Sequence, residues 1–126
     1  MNAAYLEIRF RGVALGTRWP ASFIIVSAFA TTGEEWSADR NQAADDALAR
    51  ELVNREVWMA RVIGYSPSTG HAEPSWAAEL NIEEGRRLGQ QFHQDAIFLV
   101  AGDELIVGSC CGEESVKLGS FRARLD

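Results

Sequence analysis

The sequence is short of the residues from which most recognisable sites are built. Its 126 residues include two histidines, two cysteines and three prolines. The cysteines, Cys110 and Cys111, are chain neighbours. A bridge between neighbours closes only a small, strained ring, and the pair lacks the spacing of a zinc knuckle or a thioredoxin-type motif. Two reduced thiols at a strand end, in a cytoplasmic protein, are expected. No run of Lys or Arg occurs and the net charge is −6, which argues against a phosphate-binding surface and so against a nucleic-acid partner. The longest apolar stretch, "FIIVSAFA", is far too short to cross a membrane, so no membrane partner is expected. The opening "MNAAYLEIRFRG" has no apolar signal core. There is no nucleophile elbow, no phosphate loop and no Gly-rich dinucleotide fingerprint, and no cofactor is expected. No repeat, low-complexity tract or linker breaks the chain, so 1–126 reads as a single domain of ordinary composition, 47% apolar and 24% charged.

What is present is a clear alternation of strands and helices. "SFIIVSAF" (22–29) is apolar and β-branched and reads as a central strand. "SADRNQAADDALARELVNR" (37–55) reads as a helix, with Ser37 as N-cap and Ala44, Ala47, Leu48 and Leu52 on one face. "VWMARVIGY" (57–65) and "SWAAEL" (75–80) read as strands, the first with Val57, Met59, Arg61, Ile63 and Tyr65 on a common face. Asn81 and Glu84 resemble a capping box opening a helix over 82–93, whose Gly85 and Gly89 favour close packing on a sheet. "AIFLV" (96–100) and "LIVGSC" (105–110) are joined by a hairpin signal. Extra strands are expected over 4–10 and 116–125.

That order predicts an α+β fold on the ferredoxin-like, split βαβ plan: two helices on one face of an antiparallel sheet, with extra terminal strands. Several strands are apolar on both sides, so the terminal strands or a second subunit must cover the other face, and a homodimer is expected.

The same plan gathers the loops 31–37, 66–75 and 93–95 at one end of the sheet. The candidate polar-end site there comprises Ser37, Asn41, His71, Glu73, Ser75, His93, Gln94 and Asp95. Each has a plain structural alternative. His71 can be a solvated hairpin tip, and His93 can favour the negative end of its helix. Glu73-Pro74-Ser75 can simply enter an edge strand. Asn41 and Gln94 can tie loops together. The chemical alternative is a metal site, since His71, Glu73, His93 and Asp95 offer two imidazoles and two carboxylates.

"FIIVSAF", Ser37 and Asn41 opening a helix with Leu48 and Leu52, Gly70, Glu73-Pro74-Ser75 and "LGQQFHQDAIF" together resemble a known family. From about residue 22 to about residue 107 the chain is similar to the uncharacterised bacterial proteins of the domain of unknown function 3293 family. Within "LGQQFHQDAIF" the matching positions are Gly89, Phe92, Gln94 and Ala96. Where that family usually carries Asn-Pro after the aromatic residue of the first strand, this chain has Ala30-Thr31. The resemblance implies no function, but it singles out Ser37, Asn41, Glu73, Ser75 and Gln94.

The expected function is therefore a non-catalytic module binding a small ligand or a protein. The alternative is a small metal-assisted hydrolase using His71, Glu73, His93 and Asp95. In either case Glu73 is expected to face inward toward Asn41 and Gln94, sharing a face with Ser75 opposite Trp76, while His71 stays at the exposed tip.

Overall fold

The computed structural model describes residues 3–31 and 33–126. Position 32, within the expected polar loop 31–37, lies outside the described residues, as do residues 1 and 2. A 3-10 turn, Ala3–Glu7, leads into β1 (Arg9–Arg11), then β2 (Ser22–Ser27) and α1 (Ala38–Asn54). The hairpin strands β3 (Met59–Tyr65) and β4 (Ala72–Ala78) precede α2 (Ile82–Gln91). The chain ends with β5 (Ala96–Ala101), β6 (Glu104–Ser109), β7 (Ser115–Ser120) and a second 3-10 turn, Arg122–Arg124. Among the described residues no helix is long and apolar enough to cross a membrane.

The ferredoxin-like plan is not what the chain builds. Among the described residues, seven strands form one antiparallel sheet in the order β1-β3-β4-β2-β5-β6-β7, curled into a half-barrel that makes up most of the molecule. The helices do not form a layer that defines the fold: α1 lies against β4, and α2 against β2 and β5. The terminal segments are part of the curl rather than additions to a four-stranded core. Phe10 of β1 bridges to Leu125 beyond β7, the Asp126 amide donates to the Phe10 carbonyl at 2.8 Å, and Arg9 pairs with Asp126 at 2.7 Å. The two edges of the sheet thus meet over the same face.

The physical reason lies in the strands' two apolar sides. Ile24 and Val26 of β2 pack with Leu48 and Leu52 of α1, Leu88 of α2, Ala78 and Ile97. Their neighbours Phe23 and Ile25 point the other way, where Phe10, Val62, Ala77, Val100, Leu105 and Phe121 form a second core without a helix. Trp19, on the loop between β1 and β2, stacks on Phe23 at 5.0 Å and meets Trp58 and Phe121 edge-on. Curling the sheet buries this aromatic face within one chain. The covering that the apolar face required comes from the chain's own termini.

Local signals set both helices. Ser37 caps α1 by accepting from the Arg40 amide at 3.1 Å. Asn81 and Glu84 form a reciprocal capping box on α2, at 2.8 and 3.2 Å. α2 lies so close to the sheet that a Cβ on Gly89 would stand 2.3 Å from the Cys110 sulfur, and one on Gly85 2.7 Å from Ile97. Cys110 is buried and Cys111 exposed, both free, and burial pushes the Cys110 thiol up to about 11.

Candidate functional site

The site begins with a change of polarity along three strands of the helix-free face. β2 runs from Phe23 and Ile25 to Ser27. β4 runs back from Ala77 to Ser75 and Glu73, and β5 from Val100 to Phe98 and Ala96. The β2–β4 ladder ends at the pairing Ser27↔Ser75, next to Pro74, which is paired only on its other side, with Ile63 of β3. The sheet's inner face is thus apolar at one end and polar at the other.

At the polar end a cavity of about 60 Å³ opens between the strands and the N-terminal 3-10 turn. Tyr5, Ile8, Phe10, Ile25 and Phe98 give it an apolar wall. Ser27, Glu73, Ser75 and Gln94 converge on it, with His71 and Tyr65 at the hairpin side. Ser27, Ser75 and Gln94 are each more than nine-tenths buried. A shallower cleft beside Phe29, Trp36 and Asn41 also borders His71 and Glu73, so that pair divides inner cavity from outer surface.

Glu73 is the electrostatic centre. Its Oε1 lies 3.1 Å from His71 Nε2, the imidazole being mostly exposed and the carboxylate mostly covered. Burial raises the Glu73 carboxyl above its ordinary value, and the His71 contact offsets this only in part. No other side chain among the described residues pairs with it in a hydrogen bond or ion pair.

The eight expected site residues separate into two groups. His71, Glu73, Ser75 and Gln94 line the cavity. Glu73 and Ser75 do share a face opposite Trp76, but it is the helix-free face, not the one beneath α1. Asn41 instead accepts from the Ala30 amide at 2.9 Å and fixes the loop after β2. Ser37 is the helix cap. His93 is exposed and has a left-handed backbone, φ 59°. Its amide donates to Gln90 and the Gln94 amide to Gly89, which closes α2 as a Schellman turn and directs Gln94 inward. Asp95 accepts from Thr31 Oγ1 at 2.9 Å, joining two loops. Among the described residues no three His, Cys, Asp or Glu side chains come together to hold a metal; His71 and Glu73 are one pair, separate from His93 and Asp95.

Sequence reasoning passed over Ser27 and Ser66, both buried and on the cavity wall. Ser27 carried a signal, as the one hydroxyl inside an otherwise apolar "FIIVSAF". Ser66 carried none, because its role depends on Glu7, which accepts its hydroxyl proton across the chain.

The model of a family described as "Protein of unknown function (DUF3293)" matches residues 26–97, from the end of β2 into β5. That span includes Ser27, Glu73, Ser75 and Gln94. No curated protein and no solved structure matches the chain.

Proposed function

The chain belongs to the family of proteins of unknown function DUF3293, and we propose that it is a small-ligand-binding module whose site is the inner-face cavity. One observation carries this reading. Four polar side chains, Ser27, Glu73, Ser75 and Gln94, converge where an apolar lining would close the sheet more cheaply. Burying a carboxyl there is unfavourable, since its one side-chain partner among the described residues is a mostly exposed imidazole. A concave apolar site with a few convergent polar groups and a perturbed carboxyl is the usual form of a small-molecule pocket.

The same residues offer little for the hydrolase reading. His71 and Glu73 make a pair, but no third metal-ligating side chain joins them among the described residues. The cavity is small but not enclosed, so it suits one end of a small molecule whose remainder extends toward its mouth.

Amide NMR titration with benzyl alcohol, a small neutral probe, tests the proposal. Shifts should centre on Ser27, Ser75 and Phe98 and vanish in an Ala96→Leu variant that fills the cavity. Shifts scattered over the surface, or unchanged by that substitution, would remove the cavity as the site.

A further inference from the structure

The direction of the hydrogen bonds around the cavity defines the chemistry it can receive. Among the described residues six hydroxyl side chains line it, and five of them send their protons elsewhere. Ser27 donates to the Pro74 carbonyl at 3.1 Å and Ser75 to the Glu73 carbonyl at 3.2 Å. Thr31 donates to Asp95 at 2.9 Å, Tyr65 to Asp126 and Ser66 to Glu7. A carbonyl or carboxylate oxygen can only accept, so these proton positions follow from the partners alone.

Gln94 follows the same pattern. Its Nε2 donates to the Phe29 carbonyl at 2.8 Å and the Phe92 carbonyl at 3.1 Å. Two carbonyl partners fix the amide orientation, so the atom of this lining side chain left over for a ligand is the acceptor Oε1. Glu73 uses Oε1 toward His71, leaving Oε2 as a second acceptor. Among the described residues His71 is the one lining side chain that can carry positive charge, and its Nε2 is turned to Glu73. An anionic ligand would therefore meet a carboxylate and oxygen lone pairs with no cation of its own to pair with. A ligand that brings N–H donors finds acceptors already in place.

We propose that the ligand is a small primary amine on an apolar body, bound as its ammonium with the Glu73 carboxylate as counter-charge and the Gln94 amide oxygen as a neighbouring acceptor. This rests on the inner-face cavity being the binding site. The apolar body would lie along Phe98 and Ile25, which adjoin the polar cluster on the same face of the sheet and also line the cavity. Glu73 remains mostly covered without a full set of donors because the ligand supplies them.

Three probes of matched size, benzylamine, benzyl alcohol and benzoate, separate this proposal from the cavity reading beneath it. In NMR titrations near neutral pH, benzylamine should bind at least about tenfold more tightly than benzyl alcohol, the scale of one charge-assisted hydrogen bond. Benzoate should bind most weakly. Glu73→Gln should abolish the benzylamine advantage and leave benzyl alcohol unchanged. Should that variant not fold, Glu73→Asp, which withdraws the charge by one methylene, should weaken benzylamine in the same direction. Benzoate binding as tightly as benzylamine, or benzylamine binding that ignores both substitutions, overturns the amine assignment while benzyl alcohol still reports the cavity. Silence of all three probes overturns both.

Discussion

His71 Nε2 and Glu73 Oε1 lie 3.1 Å apart at the boundary between solvent and the inner-face cavity. The imidazole is mostly in water and the carboxylate mostly out of it. Such a contact holds the carboxylate in place without compensating fully for its lost hydration.

A pH prediction follows directly. Because Glu73 is raised above its ordinary value in the folded chain, the folded state holds that proton more tightly than the unfolded state. The resulting penalty is absent below the ordinary carboxyl range and grows as pH rises through the raised value. Glu73→Gln should therefore be more stable than wild type near neutral pH, and the difference should shrink as pH falls toward acid. Glu7, Asp103 and Asp126 are lowered by hydrogen bonds and have the opposite pH dependence, but they are common to both proteins. Urea melts across pH check this; a variant less stable at neutral pH would contradict it.

On the other face of the sheet, Asp45 is buried and grips Arg61 through two bonds of 2.8 and 2.9 Å. Arg61 also lies over the Trp76 ring at 4.5 Å. Removing one partner of a fully buried pair costs about 3–5 kcal/mol, and partial rehydration of Arg61 should reduce this, so Asp45→Ala is expected to cost about 2 kcal/mol. A urea midpoint unchanged from wild type would show the pair to be incidental.

Gly89 and Cys110 should couple. Gly89→Ala places a methyl against the Cys110 sulfur, and overpacking of this kind costs about 1–3 kcal/mol. Cys110→Ala removes that sulfur, so the double variant should recover part of the loss. Additive single effects in thermal melts would mean that the helix shifts instead.

At His93 the left-handed backbone is the feature that matters. His93→Gly should stabilise by up to about 1 kcal/mol, since glycine adopts that conformation freely. Benzylamine affinity should not change. A loss of binding would restore His93 to the site.

Much of this was legible in the sequence, but not the decisive part. Ser37 and the Asn81–Glu84 box mark the helix starts because capping is local. The shared face of Glu73 and Ser75 follows from strand alternation. Which face it is does not, because alternation fixes sides relative to one another and not to the helices. The half-barrel depends on Phe10 meeting Leu125 across almost the whole chain, a pairing with no local signature. Residues 4–10 look like a strand by alternation, yet Ala3–Glu7 is a 3-10 turn, placed where it lids the cavity. Asp45 sits in the apolar stripe of α1, and nothing nearby in sequence identifies Arg61 as its partner.

The central claim is that the cavity on the helix-free face binds a small amine through Glu73, and a crystal structure grown with benzylamine tests it most directly. The ammonium nitrogen is expected within about 3 Å of the Glu73 carboxylate, at ordinary hydrogen-bond distance, with the ring against Phe98. An empty cavity, or benzylamine bound only elsewhere on the protein, would contradict it.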